Sequence, residues 1–541
     1  MAMLNASIKY KKTISKSILI REGPPTVYQL RPEKENIGTL TRMTLGEKNP
    51  EKINKTILLV GETGTGKSTL INALVNHFMR VEWKDNVWFQ IVEDEKKKQS
   101  ESQTSDVTVY EIFGFEEETL PFSLTIIDTP GYGDAEGIEK DFMISQRLLD
   151  LFRSDDGVHE INAVCLVLKA AENRVSDRLR YILDSVMSLF GKNMEKNIVT
   201  LITHSDGLTP ENALQALDAA KIKCARNKEK EPFHFLFNNR QSNERTPKYK
   251  VSLKGAWDLS MDQMDEFADF LKKASPQNLM TTVEVLKAQT RITACIQNLK
   301  ERIELTELKQ REIHQTQEAL KKHEEKMKNN EKFTVEVDEP YKDKEEVSEW
   351  RWWALGMNYG GSVTCNVCEE NCHYPCTLAW YPEHCKVMEG GRCTSCTKKC
   401  PVSDHVKEKK IYVNKTRKVP KTEEGMKEKY EKSKAEGDKS TSLLENLKKE
   451  MEDLQRGKDE LLEESFQHVL KLEQIALNAN SLSTHVHLDF LLEKMKERGD
   501  TKKVQKLEEM KRRMEEDKGI KAALQYMRGK LAAGKAAVGW K

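Results

Sequence analysis

The chain has 541 residues, too many for one core, and is 38% hydrophobic and 32% charged, wetter than an average globular protein. Its 88 basic residues against 87 acidic ones leave a net charge of +1, which gives no reason to expect nucleic acid as the main partner. The opening "MAMLNASIKYKKTISKS" has no continuous apolar stretch, no run of about 18 apolar residues occurs, and the end "AAVGWK" is not a prenylation box, so a cytoplasmic protein without a transmembrane segment is expected, peripheral membrane contact staying open.

Residues 1–50 read as a polar, irregular extension with short strands such as "TVYQL". From 51 to 277 apolar runs of strand length alternate with helical segments. "KTILLV", "FSLTIIDTP", "INAVCLVLKA", "NIVTLIT" and "FHFLFNN" read as buried, mostly parallel strands. "STLINALVNHF", "DFMISQRLLDLF", "DRLRYILDSVMSLF", "PENALQALDAAKIKCA" and "MDQMDEFADFLKKA" read as their covering helices. That alternation predicts a doubly wound α/β domain.

"GETGTGKST", Gly61 to Thr69, fits G-x-x-x-x-G-K-[ST] between a strand and a helix. Its backbone N–H groups, from Gly61, Glu62, Thr63, Gly64, Thr65 and Gly66 onward, suit phosphate oxygens, and the helix N-terminus adds partial positive charge. Lys67 would neutralise the β- and γ-phosphates and Ser68 would coordinate magnesium. In "IIDTPGYGD", Asp128 would hold the magnesium shell and the Gly131 N–H would meet the γ-phosphate. The magnesium threonine must come from "SQTSDVTVY": Thr104 by its spacing, with Thr108 as the alternative or an ordinary strand residue. Lys67, Thr104 and Gly131 are thus the candidate catalytic groups. Ras-type GTPases place a glutamine after that glycine to orient water; here Tyr132 follows, as a reactive-site departure or a packing residue.

For the base, "VTLITHSDG" offers Thr203, His204 and Asp206 where Asn-Lys-x-Asp is usual. Asp206 would accept from the guanine ring N–H and amine, which adenine lacks. His204 either lies flat on the purine or is a surface histidine, and Asn238 and Asn239 in "LFNNR" either touch the base or form a turn.

Together "GETGTGKSTLINAL", "IDTPGYGD", the Thr-His-x-Asp variant and "FNN" resemble the septin-like GTPases, and among these the immune-associated group, over about 55–275. The resemblance implies a guanine-nucleotide switch domain that pairs with a second copy, with nucleotide residues at Gly61, Gly64, Gly66, Lys67, Ser68, Thr104, Asp128, Gly131 and Asp206 and the guanine-loop histidine at His204. It implies slow or partner-completed hydrolysis, or GTP binding without turnover as in some septins.

Beyond 278, Ile292, Ile296, Leu299, Ile303, Ile313 and Leu320 keep a 4-3 spacing, interrupted by Thr306, Gln310 and Gln317. This predicts a coiled-coil-like helix over 278–332 with a polar centre, returned by an antiparallel one over 421–478 through Leu447, Met451, Leu454 and Leu461, for contacts with protein effectors. Short amphipathic helices are expected over 479–541. Between the arms, 333–420 holds eight of the 11 cysteines. Two Cys-x2-Cys knuckles, Cys365/Cys368 and Cys393/Cys396, suit two tetrahedral structural zinc ions, completed from Cys372, His373, Cys376, Cys385, Cys400 and His405 in a partition that spacing leaves open. Disulfides are the competing reading. The first spacer excludes a RING finger. Trp350, Trp352 and Trp353 either pack on this module or form a partner patch.

Overall fold

In the computed structural model, described residues are 9–37, 40–93, 106–114, 122–132, 138–171, 177–322, 334–346, 361–374, 376, 381–422, 443–478 and 482–516. The chain divides into one unit of Met1–Leu286, Glu473–His485 and Glu509–Lys541 and another of Lys287–Leu472 and Val486–Glu508.

Four largely apolar runs form the centre of the first unit. The strands in chain order are β1 (Ile18–Arg21), β2 (Thr26–Gln29), β3 (Glu33–Ile37), β4 (Leu40–Leu45), β5 (Asn54–Gly61), β6 (Val87–Gln90), β7 (Thr108–Ile112), β8 (Ser123–Asp128), β9 (Glu160–Ile161), β10 (Ala163–Lys169), β11 (Ile198–Thr203), β12 (His234–Leu236) and β13 (Gln277–Asn278). An eight-stranded sheet runs β12-β11-β10-β5-β8-β7-β4-β3. Strands β5, β8, β10 and β11 are buried almost end to end rather than on alternate residues, because helices cover both faces. Those helices are α2 (Lys67–Phe78), α3 (Ile138–Arg153), α4 (Asp177–Met187), α5 (Glu211–Ala219) and α6 (Lys250–Lys273), after a short α1 (Lys11–Ser15).

The sheet is mostly parallel, as expected, with five parallel pairings of seven, and becomes mixed toward one edge. β7 runs antiparallel to β8, β4 is parallel to β7, and β3 is antiparallel to β4. The last two strands come from the stretch read as a polar extension. There β1 and β2 also form a separate three-stranded sheet with β6.

That smaller sheet is anchored to α2 by two asparagines one turn apart, which face the same way on the helix. Asn76 is fully buried; its Nδ2 donates to Phe89 O at 2.6 Å and its Oδ1 accepts from Phe89 N at 2.9 Å. Asn72 Oδ1 accepts from Ile91 N at 2.8 Å and Val92 N at 3.1 Å. The amides therefore complete the backbone of an edge strand that has no neighbour on that side.

In the second unit, α7 (Met280–Lys322) and α8 (Leu443–Ile475) run antiparallel. Lys309 meets Glu450 at 2.9 Å, while Arg302 lies against Gly457. Ile292, Ile296, Leu299 and Ile313 are buried and Ile303 half-buried. At the polar centre, Thr306 and Gln310 line a cleft of about 880 Å³ with Met451, Glu452 and Gln455, so the seam opens there instead of interlocking continuously. The side chains of Leu320 and Leu447 lie outside the described residues. A two-stranded ribbon, β14 (Thr334–Glu346) with β20 (Lys410–Thr422), leads to the cysteine module. It is thirteen residues long, roughly 40 Å at strand rise. The module's own strands are β15 (Ser362–Cys365), β16 (Glu370–His373), β17 (Met388–Glu389), β18 (Arg392–Cys393) and β19 (His405–Glu408), and α9 (Leu482–Arg498) and α10 (Thr501–Glu516) follow the helix pair.

Gly457 sits inside a helix, where glycine is about 1 kcal/mol worse than alanine. Close approach explains it: a Cβ there would fall 1.8 Å from Arg302 Nη1. Arg302 is not at liberty to retreat, because it forms a buried ion pair with Glu370, which also accepts from Thr397 N at 2.8 Å.

Two outcomes check this packing. Asn76→Leu should destabilise the first unit by about 1–3 kcal/mol, since both backbone groups of Phe89 lose their partner in the core; a urea midpoint equal to wild type would refute the anchor. Gly457→Ala should lower the melting temperature despite its better helix propensity; a stabilised variant would show that Arg302 is not wedged there.

Candidate functional site

Four strands end at one edge of the sheet, and the loops that follow them make the site. β5 stops at Gly61 and the phosphate loop turns into α2. Gly64 and Gly66 have φ of +80° and +90°, which glycine alone adopts without strain. Gly61 presses on the next strand, since a Cβ there would lie 2.5 Å from Val167 O. Lys67 is buried, and its ammonium donates to Gly61 O at 2.9 Å and Glu62 O at 3.2 Å. Thr65 closes the turn, its N and Oγ1 donating to Glu62 O at 3.3 and 2.9 Å. Ser68, half-buried, and Thr69, exposed, occupy the first turn of α2, where backbone N–H groups and the helix dipole favour an anion.

β8 delivers Asp128, fully buried, to the same edge. Thr129 Oγ1 donates to Leu59 O at 2.9 Å, and Tyr132 N donates to Gly61 O at 3.2 Å. The switch peptide is thereby laid on the phosphate loop. Gly131 touches Thr63 so closely that a Cβ would fall 2.2 Å from Thr63 Oγ1 and 2.6 Å from its Cα. Tyr132 is only 1% exposed and bridges to Glu62 of the phosphate loop, so its ring is a buried packing group. Thr104 lies outside the described residues. Thr108 sits in β7 directly opposite Asp128, the place of a strand residue.

On the base side, Thr203 is buried and its hydroxyl donates to Thr65 O at 2.6 Å. His204 has φ of +56° and its Nδ1 lies 3.1 Å from Thr203 Oγ1. Burial, Lys169 and Arg240 push its pKa below the ordinary value, which favours a neutral ring at pH 7. Asp206 is exposed and one of its oxygens accepts from Leu208 N at 3.0 Å, which fixes the carboxylate's direction through an Asx turn. Asn238 Nδ2 donates to Ser205 O at 2.8 Å and so ties the two base-side loops together. Asn239 Oδ1 accepts from Gln241 Nε2 at 3.3 Å. The structure also brings in Lys169, whose ammonium lies 4.0 Å from where a Gly64 Cβ would stand. Its sequence signal was its place at the carboxyl end of a central strand.

The ten expected metal ligands gather in three groups rather than two quartets. They are Cys365, Cys368, Cys396 and Cys400; Cys372, Cys393, Cys396 and His405; and His373, Cys376 and Cys385. All the cysteines are free thiols, which argues against the disulfide reading. Sγ atoms of Cys368 and Cys400 are 3.7 Å apart, and those of Cys376 and Cys385 3.8 Å. A tetrahedron of sulfurs at the zinc–thiolate distance has edges of about 3.8 Å, so the spacing fits that metal. His405 Nδ1 is 2.9 Å from Pro401 O, and its Nε2 is buried with no hydrogen-bond partner. That arrangement presents Nε2 as a ligand. A fourth group, Cys295, Glu464 and His468, had no local sequence signal because two helices supply it. Glu464 there is engaged by Lys399 at 2.8 Å. The tryptophans at 350, 352 and 353 lie outside the described residues.

The Septin family model matches residues 51–160. Septin-1 of Drosophila melanogaster is 29% identical over 182 residues, 31% of this chain and 44% of that protein. Septin-5 of Homo sapiens is 30% identical over 168 residues, 29% of this chain and 41% of that protein. The chain thus spans less than half the length of these relatives. The solved structure of Toc33 from Arabidopsis thaliana in complex with GDP and Mg2+ aligns with 41% of this chain and 85% of its own at 16% identity and a TM-score of 0.29. Phosphate loop, switch aspartate and septin match coincide on one set of strands, and the chain carries a septin-like P-loop GTPase domain.

Proposed function

We propose that the protein binds guanine nucleotide and Mg2+ and works as a switch or scaffold whose GTP hydrolysis is slow or completed by self-association across the nucleotide face. The observation that carries this is the seating of Gly131 on Thr63. A γ-phosphate cradled by the loop must be felt by the peptide packed on it, which is what a nucleotide switch requires. Lys67 would neutralise phosphate charge. Ser68 and Asp128, with Thr104, would hold the magnesium, which supplies further charge neutralisation. Asp206 would read guanine, with the neutral His204 ring against the purine.

Burial of Tyr132 bears on turnover. The Tyr132 ring is buried and offers no amide to orient water, and no glutamine follows Gly131. The same observation supports a second reading, a septin-type protein that binds GTP structurally without hydrolysing it. The paired helices and the cysteine module, held by structural zinc, would serve assembly and effector contact. No helix among the described residues is long and apolar enough to cross a membrane. A cytoplasmic role, membership of the immune-associated branch and the absence of a nucleic-acid partner remain part of this proposal.

Asp206→Asn should weaken GTP binding by about 1–3 kcal/mol, the scale of hydrogen bonds to a charged group. Equal wild-type affinity for ATP and GTP would contradict the base assignment. Phosphate release by dilute wild-type protein should not exceed the intrinsic Ras scale, roughly 10⁻⁴ to 10⁻³ per second, and should rise per molecule with protein concentration. Lys67→Ala should abolish nucleotide binding and nucleotide-dependent association, whereas Tyr132→Phe should change little. A fast rate independent of concentration would reveal a catalytic group in cis. Retained GTP with no release at any concentration would select the structural reading.

A further inference from the structure

Seven residues make two complete four-ligand sets in the cysteine module, because Cys396 belongs to both. Within each set the ligand atoms lie within 4.8 Å of one another. Two separate tetrahedral zinc ions need eight protein ligands, and described Cys, His, Asp and Glu residues near either set supply no eighth. One thiolate has two lone pairs free for metal and is able to bind both ions. We propose, resting on the zinc reading above, that Cys396 bridges two zinc ions. Cys365, Cys368 and Cys400 complete one, and Cys372, Cys393 and His405 complete the other. A third ion is held apart by His373, Cys376 and Cys385.

The surroundings suit such a cluster. Six thiolates against two dications leave about two negative charges. Backbone N–H groups are aimed at the sulfurs to offset them: Cys368 N to Cys365 Sγ at 3.3 Å, Ser395 N and Cys396 N to Cys393 Sγ at 3.3 Å each, and Cys400 N to Cys396 Sγ at 3.2 Å. The bridging sulfur accepts one of these N–H groups, and all seven ligand residues but Cys368 are buried. In this site the only histidine ligand is oriented by Pro401 O through its other nitrogen.

The remaining trio is distinct. His373 Nδ1 is 3.2 Å from Cys385 Sγ, and Cys376 Sγ is 3.8 Å from the same sulfur. The sequence between its cysteines, "CTLAWYPEHC", adds only Glu383 and His384, and both side chains are exposed, at 64% and 61%. A three-ligand zinc site keeps a position for an exogenous ligand, water or a small thiol. The third ion is therefore the exchangeable one, and the bridged pair is the structural staple.

Native mass spectrometry and elemental analysis of the full chain should find three zinc ions. After exchange with cadmium-113, two of three NMR resonances should be coupled to each other through Cys396 and the third should stand alone. Cys376→Ala should lose one ion and keep the coupled pair. Cys396→Ser should lose the coupling; if that variant does not fold, coupling in the wild type still decides the matter. Uncoupled resonances, or one ion for the seven residues, would overturn the bridge while leaving zinc binding intact. A coupled pair without a third ion would remove the separate site. Chain purified without chelator that carries no metal and titrates as free thiols would overturn the zinc reading itself.

Discussion

Parallel pairing of β5 with β8 and β10 places Leu59 beside Asp128 and Gly61 beside Val167. Everything in the nucleotide site depends on that register. Strands that end level deliver their loops to one edge of the sheet, and a shift would carry the phosphate loop away from the switch aspartate and turn its side chains to the other face. These strands are recognisable in sequence as largely apolar runs because both of their faces are buried.

From this edge follow the contacts that make the loop and switch one object. Gly61 lies against Val167, and Gly131 lies against Thr63. Neither position accepts a Cβ without moving backbone, so both glycines are demanded by approach, independent of their dihedral freedom. Thr129 and Tyr132 add hydrogen bonds from the switch segment to β5 and to the end of the loop. On the other side the hydroxyl of Thr203 joins the base loop to Thr65. The phosphate loop, the switch segment and the base loop are thus joined by directly touching backbone and hydrogen bonds.

The cysteine module solves a different physical problem. Its strands are two to four residues long and its apolar side chains are few, so it has too little core to hold itself together. In the proposed reading, thiolate–metal bonds would replace that missing core. Arg302, Glu370 and Gly457 then show how tightly this region is fitted, with a charged pair passing where a methyl group would block it.

Sequence alone determined the pieces whose chemistry is local. A phosphate loop needs closely spaced glycines before a helix, a buried parallel strand needs a largely apolar run, and a long helix shows in its periodicity. It was silent where the deciding partner is distant along the chain. The polar β3 and β4 carry no buried-strand pattern because they lie at the sheet's edge, so their membership rests on pairing with β7. The sequence around Tyr132 did not show whether its ring is buried or faces solvent; packing decided that. Ten metal-ligand candidates could be listed from spacing, but the grouping that makes Cys396 common to two sets depends on distances between knuckles about thirty residues apart. Tertiary structure decided these points because a contact between remote segments is a property of the folded path, and no local pattern records it.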